Sequence, residues 1–131
     1  MDKKISPALI TALKRLLASE YSLHSKLWGF HWNLIGSDFA ERHALYGEWA
    51  DDLEADIDVL AERIRQLGEV SLTGLTEMAS LSGIKDTPSA LMDEAETAAV
   101  LLEDHCVLCQ AFYKAIEIAE QECKVTNNIL S

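Results

Sequence analysis

Three long stretches of this 131-residue chain place apolar residues at intervals of three and four, and no stretch alternates with the period of a strand. Leu9, Leu13, Leu16, Leu17, Leu23, Leu27 and Phe30 mark the first, which runs on to Ile35. Tyr46, Trp49, Leu53, Ile57, Leu60, Ile64 and Leu67 mark the second, and Leu91, Ala95, Ala98, Leu102, Cys106, Cys109, Phe112, Ile116 and Ala119 the third. That spacing draws one apolar stripe along each helix. The punctuation agrees. Ser6-Pro7 is an N-cap followed by proline at the first helical position. Gly36-Ser37 breaks the first helix, and Asp38 with Glu41 forms a capping-box pattern for the second. Gly68 closes that helix, and Thr87-Pro88 repeats the cap-plus-proline start. A short helix is predicted over Leu75 to Leu81, inside the connection from Ser71 to Lys85. Val125 to Ser131 reads as the opening of a fourth helix, at most two turns long. The prediction is an all-α fold: a single domain, 1–131, built as an up-and-down helix bundle with a long crossover between its second and third long helices. The fourth helix is expected to be cut short, which leaves the third stripe in need of cover from further chain or from neighbours.

Charge and composition narrow the function. Twenty-two acidic residues against eleven Lys and Arg give a formal charge of −11. DNA affinity rests mainly on basic side chains neutralising phosphates, so direct DNA binding is disfavoured, whereas an acidic surface attracts cations. No apolar run approaches the roughly 20 residues of a membrane span. Met1-Asp2-Lys3-Lys4 leads straight into a helix start, without the pattern of a signal peptide. Cys106, Cys109 and Cys123 are expected as reduced thiols, and the expected localisation is cytoplasmic.

His31, His43, Asp58 and Glu62 are the candidate metal ligands. Two imidazoles and two carboxylates are a common first shell for iron, zinc or manganese. Asp58 and Glu62 are four residues apart, so a helix stacks them on one face. His43 lies fifteen residues before Asp58, about 22 Å away at roughly 1.5 Å of rise per residue. Ligand bonds are only about 2.0–2.2 Å long, so a straight helix cannot bring both to one ion within one chain. Either the residues are unrelated, or the site closes between two chains. Placed beside Ile57, Leu60 and Ile64, the two carboxylates are expected at the border of a buried face, where leaving them unpaired would be costly.

His24, Lys26, His31, Trp32, Asn33, Gly36, Phe39 and His43 form the pattern HxKxxxxHWNxxGxxFxxxH. Asp58, Glu62, Arg63, Ile64, Leu67 and Gly68 continue it as DxxxERIxxLG. Together these motifs closely resemble the Dps family of mini-ferritins, over about a third of the chain. The resemblance implies a ferritin-like four-helix bundle assembled as a homo-oligomer, a hollow dodecamer. It also implies a ferroxidase centre at each two-fold interface, with His31 and His43 from one chain and Asp58 and Glu62 from the other. Fe(II) would be oxidised there by hydrogen peroxide or dioxygen, and Fe(III) stored as mineral in the cavity, protecting the cell from oxidative damage. The chain departs from the family in three ways. Gly47 stands where many members carry an acidic residue that helps hold a second iron. Of a di-iron pair, the second position is therefore expected to be weak, and an aspartate at 47 to tighten it. The lysine-rich tails with which some members bind DNA are absent. The family's fourth helix also runs well beyond Ser131.

Other residues receive plainer readings. His24 and His105 are expected as ordinary packing or surface histidines, and Asp51, Asp52, Glu54 and Asp56 as a solvated face. Trp28, Trp32 and Trp49 are expected to pack, Trp32 being placed to absorb stray electrons beside His31. Cys106 and Cys109, although spaced CxxC, are expected as small core residues. No Glu-x-x-His pair marks an intra-bundle di-iron site of the larger-ferritin type. The expectation is an iron-oxidising, iron-storing mini-ferritin. A DNA-protecting assembly and a catalytically weak helical metal-binding assembly are the alternatives.

Overall fold

The computed structural model describes residues 5–122 and 128–130. Expectations for Cys123, for Val125 to Asn127 and for Ser131 lie outside them. The chain folds into α1 (Pro7–Asn33), α2 (Phe39–Gln66), the short α3 (Leu75–Leu81) and α4 (Glu94–Glu122). Asn128 to Leu130 is helical, and Leu130 packs on the core at the far end of α4. Among the described residues no helix is long and apolar enough to cross a membrane.

α1 is the central element, with α2 and α4 packed on two of its flanks and α3 on a third. Leu9, Leu13, Leu16 and Leu17 of α1 form one core cluster with Leu60 and Ile64 of α2 and with Leu108, Ala115 and Ala119 of α4. Leu27, Phe30 and Leu34 form a second cluster with Tyr46 and Ala50 of α2. The start of α1 is as predicted: Ser6 caps it, its hydroxyl accepting from the Leu9 amide at 3.3 Å, with proline at the first helical position. The same Ser6 donates through its amide and its hydroxyl to the Glu122 carboxylate, at 2.9 and 2.6 Å, pinning the start of α1 to the end of α4. Gly68 also ends α2 as expected. It takes φ +94°, and the Glu69 and Gly68 amides donate to the Ile64 and Arg65 carbonyls, the double bond of a left-handed glycine cap.

Three expectations are corrected. Asp38 precedes α2 but makes no side-chain capping bond. It bonds instead to Glu94, which raises the Glu94 carboxyl above its ordinary value, against the pull of Arg42 2.5 Å away. Thr87-Pro88 does not start α4, and Leu91 lies outside that helix. The segment before Asp93 is held extended: the Ile35 amide donates to the Met92 carbonyl at 3.0 Å, and the Met92 amide to the Asn33 carbonyl at 3.4 Å. Asp93 is the cap, its carboxylate accepting from the Glu96 amide at 2.9 Å while Glu96 reaches back to the Asp93 amide.

The third correction concerns which face of α4 is buried. Asp104, Leu108, Ala115 and Ala119 face α1 and Thr97 is buried against Tyr46 of α2, whereas Ala95, Ala98, Leu102 and Cys106 are exposed. Two polar anchors fix that rotation. The Tyr46 and Thr97 hydroxyls share a hydrogen bond of 2.7 Å. The Lys26 ammonium donates to Asp104 at 2.7 Å and to the Lys85 carbonyl at 2.7 Å. Both members of the Lys26–Asp104 pair are almost fully buried, and such a pair is costly to break because it leaves a lone buried charge. The exposed face of α4 forms one wall of a groove whose other wall is α2, lined by Leu27, Tyr46, Trp49, Leu53, Leu101 and Leu102.

Glu20 is the buried charge with least compensation. It is 1 % exposed, and its Oε2 has no hydrogen-bond partner among the described residues. Burial, reinforced by the nearby Asp56 carboxylate, pushes its carboxyl up to about 8. The folded chain therefore holds a proton that the unfolded chain releases at about 4.5. Folding stability should fall as pH rises from about 4.5 to about 8 and stay low above that window. Glu20→Gln removes the charge and keeps the shape. Urea unfolding should show the variant more stable than the parent by on the order of 1–3 kcal/mol above pH 8 and no different near pH 4. A gain independent of pH would mean that Glu20 ionises normally.

Candidate metal centre

His31 lies two residues before the end of α1 and His43 in the second turn of α2, so the tight corner between these helices brings them together. Gly36 makes the corner possible by taking φ +122°, a region that side chains rarely allow. The two rings stack with centroids 3.6 Å apart and planes 14° apart. Each then bonds the other's backbone: His31 Nδ1 donates to the His43 carbonyl, and His43 Nδ1 to the His31 carbonyl at 2.7 Å. A nitrogen facing a carbonyl must carry the proton, so each neutral ring keeps its Nε2 lone pair. This is the usual way a protein fixes the tautomer and orientation of a ligating histidine.

Aromatic side chains hold the pair in place. Trp28 meets the His31 ring edge-on at 5.1 Å, and Phe39 stacks on His43 at 4.9 Å. Trp28 Nε1 in turn donates to His24 Nε2 at 3.3 Å, so His24 buttresses the wall and is not part of the pair. The spacing of three from Trp28 to His31 and of four from Phe39 to His43 was visible in the sequence; their role as walls was not. Gly47, buried on α2 next to Tyr46, presents a bare Cα to the His31 ring of α1. A β-carbon there would come within 3.1 Å of His31 Cε1.

Asp58 and Glu62 lie further along the same uninterrupted α2, which confirms the helix on which the 22 Å estimate rests. Both are exposed, not at the border of a buried face as expected, because Leu60 and Ile64 turn toward α1 while 58 and 62 turn away. Water therefore solvates them in the single chain, and the burial cost inferred from their neighbours does not arise. At about 100° per residue, His43, Gly47, Asp58 and Glu62 fall within roughly a 100° sector of α2. The structure thus joins His31 to His43 and sets both carboxylates on the same side of α2 but away from the histidines. Among the described residues no three His, Cys, Asp or Glu side chains gather into a metal cage within one chain.

The remaining candidates divide. Trp28 packs, but Trp32 and Trp49 are exposed, Trp32 stacking on Trp28 at 6.3 Å. Cys106 is exposed and Cys109 half-buried, so neither is a core residue. Both are free thiols, and Cys109 lies 3.5 Å from His105 Nε2.

Comparison with known proteins places the fold. A family model described as a ferritin-like domain matches residues 10–131. The chain is 34 % identical over 110 residues to a DNA protection during starvation protein of Helicobacter pylori, covering 84 % of this chain and 76 % of that one. A low temperature-induced protein of Nostoc is 30 % identical over 97 residues, and the chain spans about half (54 %) of its length. Among solved structures, a Dps protein from Bacillus brevis superposes with a TM-score of 0.90 at 27 % identity, covering 99 % of this chain and 87 % of that one. A Dps protein from Vibrio cholerae, described as belonging to a broad superfamily of ferritin-like diiron-carboxylate proteins, gives 0.87 at 29 % identity, covering 93 % and 77 %.

The exposure of Asp58 and Glu62 has a direct consequence. Neutralising them as Asp58→Asn and Glu62→Gln should change the unfolding free energy of the metal-free chain by no more than about 0.5 kcal/mol each, as for other solvated surface positions. Denaturant titration checks this. A loss of 2 kcal/mol or more (about four times that limit) would mean that the carboxylates are engaged structurally within the chain.

Proposed function

The chain belongs to the Dps family of ferritin-like proteins, and on that premise we propose that it oxidises and stores iron at a centre shared between two chains. Fe(II), the substrate, binds at His31 and His43 of one chain and at Asp58 and Glu62 of another. The observation that carries the reading is the reciprocal histidine exchange. It preorganises two Nε2 donors at one end of α2 while the carboxylates stand exposed on the same side of that helix, some 22 Å along it at ~1.5 Å per residue. An antiparallel neighbour related by a two-fold axis would bring each histidine end against the other chain's carboxylates, forming two equivalent sites.

The ligand set suits the chemistry. Mixed nitrogen and oxygen donors hold Fe(II) without saturating it, and carboxylates favour the harder Fe(III) product. With hydrogen peroxide as oxidant, each of two Fe(II) ions gives up one electron, and the peroxide takes both electrons and two protons to become two waters. The imidazoles accept the metal without a proton leaving: both Nδ1 protons are committed to carbonyls, and each Nε2 keeps its lone pair. Gly47 offers no side-chain oxygen, so one ion per site binds strongly and a second loosely. The assembly is a homo-oligomer, a dodecamer by family likeness, acting in the cytoplasm.

Complementation tests the shared centre. A His31→Ala/His43→Ala chain and an Asp58→Ala/Glu62→Ala chain should each be inactive alone. Unfolded together and reassembled, random pairing across a two-fold axis restores roughly a quarter of the sites. Peroxide-dependent Fe(II) oxidation, followed optically, should recover in that proportion. Mixed particles no more active than either parent would refute a two-chain site.

The name of the Helicobacter pylori relative raises DNA protection as a second reading. The charge of −11 per chain argues that any protection is indirect. Duplex DNA should migrate unretarded with the assembled protein at about 0.15 M salt without divalent cations. A retarded band that weakens with added salt would establish direct binding.

A further inference from the structure

Cys106 and Cys109 serve no role described above, and both are free thiols outside the core. With His105 they occupy little more than one turn of α4, on a different helix from His31 and His43. His105 and Cys109 are four residues apart, so the helix sets their side chains on one face. The Cys109 thiol lies 3.5 Å from His105 Nε2. That separation is the one a tetrahedral metal imposes on two of its ligands. Zinc–sulfur and zinc–nitrogen bonds of about 2.3 and 2.0–2.1 Å place the two donor atoms about 3.5–3.6 Å apart. The pair therefore stands at ligand spacing before any ion arrives.

A disulfide is the other chemistry open to Cys106 and Cys109, and the helix opposes it. β-Carbons three residues apart on a helix are about 5–6 Å from each other, against roughly 3.5–4.5 Å across a disulfide. A cation needs no such closure, because two thiolates on one zinc keep their sulfurs about 3.7–3.8 Å apart. The surroundings favour a cation as well. His105 lines the groove between α2 and α4, where the other wall carries Asp52 and Asp56, two carboxylates against the Arg42 guanidinium.

We propose that α4 carries a metal site of its own: a helical clamp of His105 Nε2 and Cys109 Sγ for a thiophilic cation such as Zn(II), with Cys106 spaced to add a third donor. Binding exchanges the Cys109 thiol proton, which leaves to solvent, for a sulfur–metal bond, and His105 gives its Nε2 lone pair. Water completes the shell. Thiolate with imidazole selects soft and borderline cations, whereas the proposed iron centre offers imidazole with carboxylate. The clamp lies within one chain and shares no residue with that centre, so it stands or falls separately from the iron reading.

Co(II) is the probe, since a cobalt–thiolate bond gives a charge-transfer absorption in the near ultraviolet that nitrogen and oxygen ligands do not. Full-length, assembled protein carrying His31→Ala/His43→Ala, kept reduced and anaerobic, takes the proposed iron centre out of the titration. It should gain the sulfur band as Co(II) is added and lose it when Zn(II) displaces the cobalt. In that background Cys109→Ser should abolish the band. His105→Ala should weaken Co(II) binding by about tenfold to a hundredfold or more, since losing a ligand costs at least what losing its support does. Cys106→Ser should lower the band as one thiolate remains, and Cys123→Ser should leave it unchanged.

No sulfur band in the His31→Ala/His43→Ala protein, a band that survives Cys109→Ser, or Co(II) bound as tightly without His105 would each overturn the clamp. A band of full intensity in Cys106→Ser would overturn the third donor. His105 and Cys109 are exposed and half-buried, so helix content by circular dichroism should hold in their variants. Should it fall, alkylation of the unsubstituted chain decides: Zn(II) should slow modification of Cys109, and equal rates with and without Zn(II) would refute the site.

Discussion

The leucine face of α1 is buried from Leu9 to Phe30, and the placement of both flanking helices follows from the need to cover it. A helix covered on several sides cannot leave its polar residues to water, and α1 carries several. Ser19 is satisfied by donating to the Arg15 carbonyl and accepting from the Gly83 amide, which fastens the crossover onto the helix. Lys26 is satisfied by Asp104 and the Lys85 carbonyl, which fastens α4. Glu20 keeps one orphaned oxygen and resists ionising. The polar partners of α1 therefore set the rotation of its neighbours, while its leucines supply the burial.

The histidine pair exploits the same central helix at its exposed end. Where α1 gives out at Asn33, its last carbonyls need donors, and His43 supplies one by reaching across to the His31 carbonyl. His31 returns the contact into α2. One motif thereby closes the α1–α2 corner and fixes two imidazole tautomers, so the order needed for the fold is also the order needed for a ligand. The extended Met92 segment braces the corner from behind through its bonds to Asn33 and Ile35.

Most of this architecture was legible in local signals. Ser6-Pro7, the Leu75–Leu81 helix and Gly68 appear where the sequence places them, because capping and left-handed closure depend on a few adjacent residues. The start of α4 departs from the local pattern, since Thr87-Pro88 carries the same signature as Ser6-Pro7. What prevents a helix there is non-local pairing of Met92 with the α1–α2 corner. The buried face of α4 departs from its apolar periodicity for a related reason. Ala98, Leu102 and Cys106 make a better apolar stripe than Thr97 and Asp104, but Tyr46 and Lys26 reward burial of the polar pair. Hydrophobic periodicity has no way to register a hydroxyl or carboxylate whose partner lies more than fifty residues away. For the candidate centre, residue types and spacing single out two histidines that the structure brings together and two carboxylates that it leaves apart from them within one chain. The reciprocal exchange and the contact at Gly47 depend on how two helices meet, which spacing along either one does not encode.

Separating the two halves of the proposed ligand set has a physical logic for a chain that must fold before it binds. Asp58 and Glu62 stay solvated in the single chain, so holding them ready costs little. His31 and His43 are ordered in the single chain, where their donors already serve the backbone. In the proposed centre the unfavourable step is deferred to assembly, when carboxylates of one chain approach the corner of another in a protein already carrying excess negative charge. A cation at the shared site offsets that repulsion and ties the chains together. Metal affinity and assembly are then thermodynamically linked: whatever tightens the ion also tightens the pair of chains. Gly47 supplies no side-chain oxygen, so in the proposed centre that linkage rests on the two imidazoles and the partner's two carboxylates.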